Sequence, residues 1–96
     1  KTVQETLYRR DRTILDCAYL LKRQPRSTLS QPQLEEQLSH RQAIPRVEAH
    51  FWISLLLSEE FLLVRRPTHL VKNSEKMIYL NEHDPIVTTV LHENHP

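Results

Sequence analysis

The sequence predicts one mainly α-helical domain with a small antiparallel β-hairpin and a short additional helix at its end. Three observations lead there. Apolar residues recur at helical spacing over three successive segments, and a capping box marks the start of the second of them. Two short apolar runs then follow, Phe61-Leu62-Leu63-Val64 and Met77-Ile78-Tyr79-Leu80, with the length and composition of strands.

The first helix is expected over residues 4 to 23. Leu7, Ile14, Ala18 and Leu21 fall on one face, which Leu15 and Cys17 widen. Pro25 ends it, because the residue before a proline avoids helical angles. In Leu29-Ser30-Gln31-Pro32-Gln33-Leu34, the Ser30 hydroxyl can accept the Gln33 amide while the Gln33 side chain reaches back to the Ser30 amide. Leu29 and Leu34 occupy the positions of a hydrophobic staple, and Pro32 is tolerated in a first turn. This second helix is expected to reach about residue 39 and to bury Leu34 and Leu38. Residues 40 to 44 are read as a turn, with Pro45 as the first residue of a third helix running to about residue 58. Val47, Phe51 and Leu55 form its expected inward face. Its second half is apolar nearly all round, which marks it as the most buried helix. Strands are expected at 61 to 66 and 77 to 81, with a long polar connection between them. Asp84-Pro85 opens a last short helix over 84 to 92 that turns Ile86, Val87, Val90 and Leu91 inward, and residues 92 to 96 read as a frayed end.

Composition narrows the chemistry. The 96 residues contain no glycine, which excludes Gly-rich phosphate loops, the dinucleotide fingerprint and the nucleophile elbow. A single cysteine, Cys17, excludes an internal disulfide and multi-cysteine metal sites; it reads as a small buried hydrophobe with no base beside it. His92 and His95 stand at a spacing that fits one helical turn, too few ligands for structural zinc. No carboxylate pair or nucleophile–base set can be argued from spacing, so an enzyme, a cofactor and a small-molecule substrate are not expected. The longest apolar run, Phe51 to Leu57, is too short to span a bilayer, so no membrane partner is expected either. A reducing intracellular setting is expected, and a chain opening on Lys1 reads as one domain, residues 1–96, cut from a longer protein.

Three helices followed by a two-stranded hairpin, together with the stretch Phe51-Trp52-Ile53-Ser54-Leu55-Leu56-Leu57-Ser58-Glu59-Glu60-Phe61-Leu62, resemble the winged-helix variant of the helix-turn-helix. The resemblance covers residues 4 to about 82. One departure is the pair Glu59-Glu60, where many members place a glycine before the aromatic; either the helix closes without a left-handed residue or it ends slightly later. Within the superfamily, a glycine-free module with a helix after the wing is similar to the chromatin-binding region of meiotic chromosome-axis proteins that carry a HORMA domain. It is also similar to the terminal winged modules of single-strand-binding complexes, which contact proteins more than DNA.

What the resemblance implies is a nuclear module that sets the start of its third helix in the DNA major groove and its wing against the backbone. Carried onto this chain, the helix-three candidates are Arg41, Arg46, Ala49 and His50, and the wing candidates are Arg65, Arg66, Lys72 and Lys76. The leading expectation is therefore DNA or nucleosome binding through phosphate. Thirteen Lys and Arg face twelve Asp and Glu, so any attraction must come from local clustering, and Glu48 opposes it. The rival expectation is a protein–protein docking module. Tyr8, Arg12, Tyr19 and Arg23 fall on one strip of the first helix, composed of the residue types that dominate binding hot spots, although tyrosines at the margin of a core would look the same. Trp52 lies off the Val47–Phe51–Leu55 face and either fills the core or anchors a partner.

Overall fold

Helix α1, Val3–Lys22, is the element around which the others assemble, packing against the second, third and fourth helices and the last strand. Its buried face carries Ile14, Cys17, Ala18 and Leu21, with Thr13 and Asp16 among them. Residues 3 to 9 are exposed, including Leu7, which the spacing placed inward. The computed structural model describes residues 3–65 and 76–93.

After Pro25 a tight turn, with Arg26 and Ser27 at φ 59° and 54°, swings the chain into a two-residue strand, β1, Leu29–Ser30. The sequence reading contains no such strand. Ser30 serves twice: it ends β1 and caps α2, Gln31–Gln42. Both halves of the expected capping box form, with the Gln33 amide donating to Ser30 Oγ and the Ser30 amide to Gln33 Oε1, each at 3.4 Å. Leu29 and Leu34 are both buried, as the staple requires.

α2 runs three residues past its expected end, because nothing in His40-Arg41-Gln42 breaks a helix. It closes when Ala43 turns left-handed (φ 54°), allowing the Ala43 amide to donate to His40 O and the Ile44 amide to Ser39 O. Pro45 lies just outside α3, Arg46–Ser58, as its N-cap rather than its first residue; its carbonyl accepts the Glu48 and Ala49 amides at 3.0 and 3.1 Å. The far end of α3 repeats the closure of α2. Glu60 adopts φ 63°, the Glu60 amide donates to Leu57 O and the Phe61 amide to Leu56 O. The position that favours glycine is thus left-handed here too, with glutamate in it. Asn81 Nδ2 donates to Glu60 O at 2.9 Å and steadies the turn.

Strands β2, Leu62–Arg65, and β3, Met77–Leu80, form the expected hairpin, each slightly shorter than the expected 61 to 66 and 77 to 81. β3 is central: it pairs antiparallel with β2 (Leu62 opposite Leu80) and with β1 (Leu29 opposite Ile78), giving the order β1-β3-β2. Asp84 Oδ1 accepts the Ile86 and Val87 amides and starts α4, Pro85–Glu93, which packs on α1. Val87 and Val90 point inward and Leu91 is half-buried, but Ile86 is exposed; His92 is still helical. The fold is mainly α with a small antiparallel sheet, and among the described residues no helix is long and apolar enough to cross a membrane.

The largest departure concerns α3. Ala49, Trp52, Ile53 and Leu56 are its buried residues, whereas Val47 and Phe51 are 75% and 58% exposed and Leu55 is half-buried. At 3.6 residues per turn the two sets lie on roughly opposite sides of the helix. Trp52 belongs to the core.

A left-handed non-glycine residue costs about 1–2 kcal/mol, partly offset by the greater unfolded-state freedom of glycine. Ala43→Gly and Glu60→Gly should therefore each stabilise the domain by about 0.5–1 kcal/mol, raising the melting temperature by about 2–6 °C in thermal unfolding.

Candidate functional site

The cations expected to meet DNA at the head of α3 face a carboxylate instead. Glu35, on α2 with its side chain only 11% exposed, lies opposite the first turns of α3. Arg46 Nε approaches Glu35 Oε1 at 3.5 Å while its Nη2 donates to Pro32 O at 2.8 Å. His50 Nδ1 donates to Glu35 Oε2 at 2.6 Å, and Gln31 Nε2 donates to the same oxygen at 3.0 Å. Burial pushes the Glu35 carboxyl up, but the hydrogen bonds from His50 and Gln31 and the charges of His50 and Arg46 outweigh it and hold the group below its ordinary value. Ala49, a candidate for the groove-facing side, is fully buried against the body of the domain.

Arg41 turns away from α3 altogether. Its Nε donates to Asp16 Oδ1 at 2.7 Å, and its guanidinium lies 3.9 Å from the centre of the Tyr19 ring. Asp16 is buried on α1; its other oxygen accepts Gln42 Nε2 at 2.8 Å and has Arg12 Nε at 3.6 Å. Arg23 stacks on Tyr19 and donates to its hydroxyl. Arg65 ends β2 with its guanidinium 5.8 Å from the Tyr79 ring, and Lys76 immediately precedes β3, so the hairpin brings these two to the same end. Arg66 and Lys72 lie outside the described residues. Arg41, Arg46 and His50 thus do not converge on one open cationic face: one is drawn onto α1, two onto α2.

A different surface is assembled. The exposed first turns of α1 and the outer face of α3 enclose an open groove of about 800 Å³, lined chiefly by Tyr8, Arg9, Glu48, Phe51, Trp52 and Leu55. Phe51 meets the edge of Trp52 in a T-shaped contact, centroids 5.5 Å apart. Arg9 places its guanidinium 5.6 Å from the Trp52 ring and 3.8 Å from Glu48. Tyr8, from the α1 strip singled out in the sequence, is 68% exposed and borders this groove; Arg12 and Tyr19 lie further along the helix and Arg23 just beyond its end. The missed residues are Val47, Phe51 and Leu55 as outward groups. Their signal was the doubling of apolar stripes on α3, which identifies two faces without saying which is wet.

Cys17 is fully buried, and burial followed by the charge of Asp16 pushes its thiol up to about 12, so it stays protonated at neutral pH. Among the described residues, no group of three or more His, Cys, Asp or Glu is placed to hold a metal ion.

Because the Glu35 carboxyl titrates below its unfolded value, it contributes stability at neutral pH that disappears as pH falls through the lowered folded pKa. In urea unfolding from neutral pH downward, the stability advantage of the native protein over Glu35→Gln should shrink steadily as pH falls below about 4.5. An advantage that is constant with pH would mean the carboxylate is not engaged as described.

No family model, no curated protein and no solved structure matches this chain.

Proposed function

We propose that this is a winged-helix protein–protein docking module, receiving an apolar segment of a partner in the groove between α1 and α3. The observation that carries the reading is the outward stripe on α3, where Val47 and Phe51 are exposed beside a groove floored by Trp52. Solvated apolar residues contiguous with a concave surface favour association with apolar side chains. A helix presented to DNA would gain little from valine and phenylalanine at those positions, since base edges offer hydrogen-bond donors and acceptors and only the thymine methyl is apolar. The neighbouring cations Arg46 and His50 are already hydrogen-bonded, and phosphate would have to compete with a carboxylate for them. An intracellular, nuclear assembly as the setting rests on the winged-helix resemblance alone.

Phe51→Asp places a charge on the groove rim at an exposed site, so it should leave the melting temperature within a few degrees of native. Peptides selected from a displayed random library on the native protein should lose at least about tenfold in affinity for this variant. In parallel, duplex DNA titrated over a salt series should bind weakly. A log–log salt slope of about −4 to −5 that Arg65→Glu or Arg46→Glu flattens would favour the phosphate-gripping reading instead. Selected peptides that bind Phe51→Asp as tightly as the native protein would overturn docking in this groove.

A further inference from the structure

We infer that the partner segment is acidic: its apolar side chains occupy the α1/α3 groove, and carboxylates that flank them enter an arginine-lined cavity at the groove's end. The inference rests on the docking reading above and adds the chemical class of the partner. A second cavity, of about 270 Å³, is lined by Arg9, Arg12, Asp16, Arg41, Gln42 and Ile44. Arg9 lines both spaces, so they are neighbours along α1, with Arg12 about one turn further on.

The cavity carries an excess of donors. Three guanidiniums meet the buried Asp16 within it and Glu48 at its edge. Arg41 gives only its Nε to Asp16, and Arg12 lies at 3.6 Å through its Nε, too far for a hydrogen bond. The Nη groups of both residues are therefore unspent, and a guanidinium presents them in the planar fork that carboxylates accept in pairs. Arg41 is held in place by the Asp16 bond and by the Tyr19 ring beneath it, so little freedom is lost when it receives a ligand. Gln42 lines the same cavity and its Nε2 donates to Asp16 Oδ2, which holds the carboxylate beside the arginines.

An acidic peptide fits both halves of this surface. A nucleic acid would satisfy the arginines but leave Phe51 in water, and a purely apolar segment would leave the guanidinium forks unused. A basic segment would be repelled at the cavity.

The test sequences the peptides selected on the native protein. They should combine aromatic or large aliphatic residues with an excess of Asp and Glu to one side, with Lys and Arg depleted there. Arg12→Glu is made at an exposed side chain, with Arg12→Gln as a second variant should the charge reversal disturb the fold. Each should weaken a synthesised selected peptide, by about tenfold for the reversal, and a version of that peptide with its acids changed to amides should bind native protein and Arg12→Gln alike. Selected peptides with no acidic excess, or with affinity indifferent to both Arg12 variants, would overturn the inference while sensitivity to Phe51→Asp kept the docking reading standing. Insensitivity to Phe51→Asp would remove both. Displacement of the peptide by short duplex DNA, through Arg12, would show that phosphate is the better occupant and would likewise overturn it.

Discussion

The rotation of α3 about its own axis governs the surface chemistry of this domain. Ala49, Ile53 and Leu56 are fully buried on one side, and the small side chain of Ala49 lets the helix approach its neighbours closely. From α2, Glu35 takes hydrogen bonds from Gln31 and His50 and faces Arg46 across 3.5 Å, so the head of α3 is fixed polar group by polar group. A half-turn of the helix would bury Val47 and Phe51, but it would expose Ile53 and Leu56 and leave the Glu35 carboxylate without two of its partners. A buried carboxylate stripped of its donors is costly, so hydrophobic packing and hydrogen bonding select the same setting. What faces solvent is then a second apolar stripe.

The same logic distributes the charges. The near-neutral balance of the sequence is realised locally as carboxylates placed under cations: Asp16 under Arg41 and Arg12, Glu35 under Arg46 and His50, Glu48 beside Arg9. Asp16 and Glu35 are the buried members, and they position the longer, more exposed side chains. These cations serve as positioned hydrogen-bond donors more than as a diffuse positive field. Such donors suit recognition of a few carboxylates at short range better than long-range attraction to a polyanion.

Local chemistry in this chain could be read from the residues alone. The Ser30–Gln33 capping box, the stop at Pro25 and the Asp84 cap each depend on neighbours within a few positions, and the helices and hairpin follow from them. What depends on tertiary packing could not. β1 is two residues long and exists because β3 supplies its partner from far along the chain. The left-handed Glu60 is fixed by bonds back to α3 and by Asn81. On α3, both stripes satisfy helical periodicity, and the larger side chains of Val47 and Phe51 made the wrong face look like the core. The choice between the faces came from Glu35 and from the depth of Ala49, both features of helix–helix contact. Arg46 and His50 stand at the head of α3 as expected, but Arg41 belongs to the last turn of α2, and a carboxylate on a neighbouring helix decides where all three point.

The outward setting of α3 can be measured with the chain's own cysteine as the internal standard. Native Cys17 is fully buried and should resist a thiol reagent in the folded protein. In a Phe51→Cys variant, the introduced thiol should react at close to the rate of a free peptide thiol while Cys17 stays unmodified. Protection of the new thiol to the same degree as Cys17, in a folded and monomeric variant, would mean that this face of α3 is turned into the core and would contradict the account.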